Sequence, residues 1–226
     1  PPVPQAERLD WRGSHCVASI GWQWSLLGLD TSTARPKKTS PRPTLLVAMG
    51  GSDPQGLTLR AARALARLDP IFRARFVVGP GVADRENVAK SIVKLRSNFE
   101  TIEGADDLVN EYASADLALA AFGVTAYELA TFGVPALYLC LSEDHALSAS
   151  AFEYAGMGIS LGVAETVSDQ FIAKSVLSLL GDTARRREMR AAGLMTIDRQ
   201  GASRVAADLA QALAERRAAM PRRIAR

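Results

Sequence analysis

The chain has 226 residues, 48% of them hydrophobic and 23% charged, with a formal net charge of +3. That length suits one large domain or two small ones, and the composition is that of an ordinary soluble globular protein. No run approaches the roughly 18 consecutive apolar residues that read as a membrane-spanning helix.

Residues 1–43 differ from the rest: they hold most of the prolines and all three tryptophans, Trp11, Trp22 and Trp24. The stretch "TARPKKTSPRP" (33–43) reads as a linker. The stretch "VASIGWQWSLL" (17–27) predicts a segment that packs, either on the body of the chain or on a further domain.

From residue 44 the pattern becomes regular. "TLLVAM" (44–49) is a continuous apolar run, as in a strand buried on both faces. Asp53 is placed to cap a helix and Pro54 to occupy its first position, with Leu57, Ala61, Ala64, Leu65 and Leu68 following at helical spacing. "ARFVV" (74–78) predicts the second strand, closed by Gly79-Pro80-Gly81. A polar helix with Val88, Ile92 and Leu95 on one face comes next, then a short strand "FETI" (99–102) and a short helix with Leu108, Val109 and Tyr112. "DLALAA" (116–121) is the fourth strand, and a helix from about Thr125 to Phe132 stops at Gly133. "PALYLC" (135–140) is the fifth strand, a helix ending at Gly156 follows, and "GISLG" (158–162) is the sixth. Helices then run to the end, with Ser168 as a cap; no internal repeat is visible.

Strands alternating with helices imply an α/β fold, a Rossmann-like, doubly wound parallel sheet of six strands with right-handed crossovers. The usual strand order is 3-2-1-4-5-6, which makes strands 1 and 4 neighbours and opens a ligand crevice at their carboxyl ends. The loops there are "GGSDP" (50–54) and "FGVT" (122–125), both leading into helices. Such a turn brings backbone N–H groups and a helix dipole to an anion. The plain alternative is that Gly50 and Gly51 only permit a tight turn.

Several ligands are disfavoured. The G-x-G-x-x-G spacing is missing and strand 2 ends in Val78-Gly79 without an acid for an adenosine ribose, which argues against NAD. The Walker A pattern is missing too, and no His, Cys, Asp or Glu cluster has metal-ligand spacing. Glu128 lies one turn into the helix after strand 4, where a carboxylate can accept from both ribose hydroxyls while Gly123, Val124 and Thr125 face phosphate. The alternative is a first-turn Glu favoured by the dipole alone.

Four motifs occur in order: "GGSDP..LT", "ADLALAAFGVTAYELATFGVP", "EDHALSASAFEYAGMGISLG" and "DRQGASRVAADL". Together they resemble the C-terminal, nucleotide-sugar-binding half of GT-B enzymes, most like the UDP-sugar hydrolase of pseudaminic acid biosynthesis and then the N-acetylglucosaminyltransferase that makes lipid II. The resemblance covers about residues 44–210, so 44–226 is read as the nucleotide-sugar-binding domain with C-terminal helices, and 1–43 as a connector from an N-terminal domain. It implies a UDP-binding site. Gly51 and Ser52 would line the diphosphate, Gly123, Val124 and Thr125 would cradle phosphate, and Glu128 would hold the ribose. The backbone at Ile102 would read uracil, and Asp144 and His145 would meet the sugar. The helix dipole and amides would stabilise the leaving diphosphate without a metal or cofactor, UDP-sugar being the substrate.

The sequence departs from that family at two residues and in its extent. Phe122 stands where the family has a glycine, so that it either crowds the phosphate or packs. His145 replaces a glutamine, as a sugar contact or acid/base group or simply as an exposed helix-start residue. His15 in the connector reads as structural. The half that binds the acceptor and supplies the catalytic base in the family has no counterpart in these residues. The functional expectation is therefore the UDP-sugar-binding domain of a glycosyltransferase or UDP-sugar hydrolase in bacterial surface polysaccharide or nonulosonic acid biosynthesis, inactive by itself. The alternatives are a non-catalytic assembly module and half of a UDP-sugar epimerase.

The charge is uneven. Residues 181–226 hold eleven arginines against five acids, a net of +6. That excess reads as a solvated helical face and a frayed end, or as a weak contact with an anionic membrane surface or partner domain. Nucleic acid is disfavoured, because no recognition motif accompanies the charge. Cys16 and Cys140 suggest no disulfide framework, Cys140 reads as a small buried hydrophobe, and a reducing cytoplasmic location is the default.

Overall fold

The computed structural model describes residues 18–29, 40–69, 71–103 and 108–219. Trp11, His15, Cys16, residues 33–39 of the linker and the chain from 220 onward lie outside the described residues. The six predicted strands are β1 (Thr44–Ala48), β2 (Arg73–Val78), β3 (Phe99–Glu103), β4 (Leu117–Ala121), β5 (Ala136–Cys140) and β6 (Gly158–Val163). They form one sheet in the order β3-β2-β1-β4-β5-β6, and every neighbouring pair is parallel. Among the described residues eight α-helices accompany them: α1 (Leu57–Leu65), α2 (Arg85–Leu95), α3 (Val109–Ser114), α4 (Val124–Thr131), α5 (Glu143–Tyr154), α6 (Asp169–Gly181), α7 (Thr183–Thr196) and α8 (Gly201–Ala219).

The apolar strand runs are continuous because both faces of the sheet are covered. Alternate residues feed two core layers. Leu45, Val47, Leu117, Leu119, Leu137 and Leu139 pack with side chains of α1, α2 and α6. Leu46, Ala118, Ala120, Ala136, Tyr138 and Cys140 pack with α4, α5 and Tyr112 of α3. A fully buried side chain of this kind contributes about 1.5–3 kcal/mol, and β4 and β5 are buried along their whole length. Burial pushes the Cys140 thiol pKa up, which keeps the group in its neutral, apolar role.

One local expectation is corrected. Helix α1 starts at Leu57, not at Pro54, and the residue before it is Gly56 in the left-handed region. Asp53 still caps it, from further away. The Asp53 backbone turns to φ 40°, and its carboxylate accepts from the backbone N–H of Leu57 at 2.7 Å and of Thr58 at 2.8 Å. The cap spans a turn at 54–56 because an Asp in the left-handed region aims its side chain forward along the chain. Ser168 caps α6 as expected, accepting from Phe171 N–H.

The tryptophan segment packs on this domain. Trp22 meets Phe152 edge-on at 5.0 Å and Tyr127 at 6.1 Å. Helix α8 clamps it: Arg204 donates to the Gln23 carbonyl at 2.9 Å, and a Cβ on Gly201 would stand 2.1 Å from the Ser25 carbonyl oxygen. Burial between these rings pushes the Tyr127 phenol pKa up to about 12.

Candidate functional site

The adjacency of β1 and β4 places the two Gly-containing loops at one crevice. A cleft of about 440 Å³ opens there, lined by Gly50 and Gly51 after β1, by Val78 at the end of β2 and Gly79 after it, and by Thr125 and Glu128 of α4. The two loops on the β1–β2 side touch. Gly81 N–H donates to the Gly51 carbonyl at 2.9 Å, and a Cβ on Gly79 would stand 2.3 Å from that same oxygen. Gly79 is therefore required for close approach, while a Cβ on Gly51 or on Gly123 would meet nothing within 4 Å. These two glycines leave open space where a ligand can reach the backbone.

Two helices start near this crevice, and they differ. The N–H groups that open α1 are taken by Asp53. Helix α4 follows Gly123, which has no side chain to cap it. Its first-turn amides and its dipole thus favour an anion from outside the helix. One turn on, the Glu128 carboxylate stands in the cleft wall with Oε2 accepting from the Tyr112 hydroxyl at 2.7 Å. A carboxylate has about four acceptor positions, so this bond fixes Glu128 and leaves capacity for hydroxyl donors.

Of the residues singled out from sequence, Gly51, Thr125 and Glu128 line one cleft. Ser52, Gly123 and Val124 are their chain neighbours without lining it, and Val124 is 65% exposed. Ile102 is in β3, paired in register with the cleft residue Val77. Asp144 and His145 open α5, whose N-terminus is capped by Ser142. His145 is half-buried, its ring 6.4 Å from that of Phe122, and its Nδ1 is buried without a hydrogen-bond partner among the described residues. Phe122 packs: it is 6% exposed and meets Tyr138 and Phe152 edge-on at 5.5 and 5.2 Å.

Sequence reasoning missed the other walls. Gly28 and Leu29 close one side from the tryptophan segment, and Leu108 and Tyr112 close another from the start of α3. The sequence marks Leu108 and Tyr112 only as the apolar face of a short helix. Nothing local marked Gly28 and Leu29. Among the described residues no group of three or more His, Cys, Asp or Glu is placed to hold a metal ion. No helix among them is long and apolar enough to cross a membrane.

No protein-family model matches the chain. Among curated proteins it is similar to the spore coat polysaccharide biosynthesis protein SpsG of Bacillus subtilis (strain 168), 30% identical over 167 residues, 73% of this chain and 49% of the relative. It is also similar to the UDP-N-acetylglucosamine--N-acetylmuramyl-(pentapeptide) pyrophosphoryl-undecaprenol N-acetylglucosamine transferase of Paenarthrobacter aurescens (strain TC1), 27% identical over 176 residues, 73% of this chain and 46% of the relative. The chain spans about half the length of the curated relatives it matches. Acinetobacter baumannii MurG shares the fold with a TM-score of 0.63 at 20% identity, over 78% of this chain and 54% of that one. Two further neighbours were solved with nucleotides. MnaA of S. aureus, with UDP, has a TM-score of 0.59 at 17% identity over 74% of this chain and 45% of that one. The spinosyn rhamnosyltransferase SpnG, with thymidine diphosphate, has a TM-score of 0.56 at 23% identity over 88% and 51%. In sheet order the chain has the α/β, Rossmann-like fold of these glycosyltransferase neighbours, and it resembles the C-terminal half of GT-B enzymes.

Proposed function

We propose that this chain is the UDP-sugar-binding half of a bacterial glycosyltransferase or UDP-sugar hydrolase of surface-polysaccharide biosynthesis. One observation carries the reading: the Glu128 carboxylate and the side-chain-uncapped start of α4 flank the same cleft at the β1–β4 switch point. The diphosphate would sit at Gly123, Val124 and Thr125, where amides and dipole meet its charge without a metal. Glu128 would accept from the ribose hydroxyls. The base would lie against Val77, Val78 and Leu108, with the backbone at Ile102 reading its edge. Asp144 and His145 would meet the sugar from the start of α5. The relatives support the class, being a polysaccharide biosynthesis protein and an N-acetylglucosamine transferase, and two fold neighbours hold UDP and thymidine diphosphate.

In this reading the acceptor and the catalytic base belong to a second half in the cytoplasm with it, and the 226-residue chain binds donor without turnover. Titration calorimetry tests it. UDP should bind at least about tenfold more tightly than ADP, a difference of about 1.4 kcal/mol. Equal affinities, or no binding of UDP, would refute the reading. Hydrolysis or transfer of a UDP-sugar by the pure chain at an enzymatic rate would relocate the base into this half, with His145 as the first residue to replace.

A further inference from the structure

A second cavity, of about 600 Å³, lies at the other end of the sheet, by the amino ends of β4 and β5, and shares no lining residue with the cleft. Its size is that of a small-ligand site. Thr183, Arg186, Arg187 and Arg190 of α7, Arg199 beyond it and Asp116 all line the opening. The lining thus carries four arginines against one carboxylate, and that carboxylate accepts from Thr44 N–H at 2.9 Å. None of the four arginines makes an ion pair among the described residues.

Two of them have structural work. Arg186 donates to the carbonyls of Leu179 and Leu180 at the end of α6, and Arg199 donates to the Thr131 carbonyl while lying 5.3 Å over the Phe132 ring. The other two do not account for themselves in this way. Arg190 reaches the carbonyls of Phe132 and Gly133 only at 3.3 and 3.4 Å, at the limit of a hydrogen bond. Arg187 is exposed and has neither hydrogen bond nor ion pair among the described residues. Like charges gathered around a cavity repel one another, and an arrangement of this sort is relieved by an anion. The guanidinium fork matches phosphate oxygens better than any other side chain.

We propose that this arginine pocket binds a phosphate-bearing anion, with Arg187 and Arg190 as its principal ligands and Thr183 at its rim. The same phosphate chemistry has two sources, a soluble diphosphate or phosphomonoester and the headgroup of an anionic phospholipid. The site stands apart from the nucleotide cleft and does not rest on the reading of that cleft. It also gives part of the basic excess of residues 181–226 a place and a task, instead of leaving it as a solvated face.

The test uses the 226-residue chain with UDP in excess, so that any nucleotide site is filled, and titrates inorganic pyrophosphate by calorimetry. Pyrophosphate should bind, about tenfold more weakly in Arg187→Gln, and more weakly still in the Arg187→Gln/Arg190→Gln double variant. UDP affinity and the far-UV spectrum should match the parent in both. Arg187→Gln breaks no bond seen in the structure, so its result stands even where the double variant is unstable. Sedimentation with phosphatidylglycerol vesicles separates the sources: vesicle binding that pyrophosphate competes away, and that Arg187→Gln weakens, assigns the headgroup, whereas pyrophosphate binding without vesicle binding assigns the soluble anion. Absence of both, or an affinity indifferent to Arg187→Gln, overturns the site. A chain that fails to bind UDP but keeps an Arg187-dependent response to pyrophosphate leaves this pocket standing while the cleft reading falls.

Discussion

Tyr112 donates its hydroxyl to Glu128 Oε2 at 2.7 Å, and so ties the short helix α3 to the first turns of α4 across the mouth of the β4 crevice. Tyr112 is 1% exposed and its ring packs 5.7 Å from that of Phe132, so the donor cannot swing away. The carboxylate is held in the cleft wall before any ligand arrives, which lowers the ordering cost of binding.

The first prediction follows from that bond. Glu128→Gln keeps the shape but removes the charge, and UDP affinity should fall about tenfold, or about 1.4 kcal/mol. Tyr112→Phe leaves Glu128 charged but free to turn, and should cost about 1 kcal/mol of binding, roughly fivefold. Because the two residues act as one unit, the double variant should lose less than the sum. Additive losses in calorimetry would mean that Tyr112 does not position Glu128.

Gly79→Ala tests the closeness of the loops. The added Cβ would stand 2.3 Å from the Gly51 carbonyl oxygen, a distance no relaxed structure tolerates. The loop after β1 must move, at a cost of about 1–3 kcal/mol in stability. UDP affinity should drop with it, since Gly51 lines the cleft. Gly51→Ala, whose Cβ would meet no protein atom within 4 Å, should leave the melting temperature nearly unchanged and weaken UDP alone.

Asp53→Ala should act in the opposite sense. The carboxylate is 7% exposed and serves two N–H groups of α1. Its loss should destabilise the fold by about 1–2 kcal/mol, or roughly 2–8 °C in melting temperature for a chain of this size. UDP affinity of the remaining folded protein should stay within about twofold. A tenfold loss there would place Asp53 among the ligand contacts instead.

Acid should loosen the tryptophan segment. The Arg204 guanidinium, helped by Gln200 N–H, lowers the Asp198 pKa from 3.8 to about 2. A carboxylate whose pKa is depressed on folding stabilises above the unfolded value and loses that contribution as pH falls through the folded one. The melting-temperature gap between the parent and Asp198→Asn should therefore be constant above about pH 4, shrink between 3.8 and about 2, and close below. Arg204 also holds the Gln23 carbonyl, so tryptophan emission should follow the same course. A gap that ignores pH would remove the ion pair from the account.

The strands were legible because a parallel sheet buried on both faces writes itself as uninterrupted apolar runs, and "LALAA" and "ALYLC" admit little else. From those runs the strand order and the meeting of the two glycine loops follow. The cleft's walls were only partly legible. Thr125 and Glu128 sit beside their loop in the chain, whereas Gly28 and Leu29 reach the same cavity from a distant segment and bear no local mark. Asp53 before a helix reads the same whether it caps at once or across a turn, since only the backbone angle separates the two. Phe122 was undecided for a similar reason: its partners Tyr138 and Phe152 come from other elements.

Asp53 has a further consequence, in how the crevice responds to dissolved ions. A tethered carboxylate has no concentration to dilute and is not exchanged for chloride or sulfate, so the positive end of α1 is discharged under all solution conditions in which Asp53 is ionised. Among the described residues no side chain caps the start of α4 in this way. Of two helix ends that open beside adjacent strands, one holds its own carboxylate and is little affected by ionic strength, while the other is open to exchange with small anions.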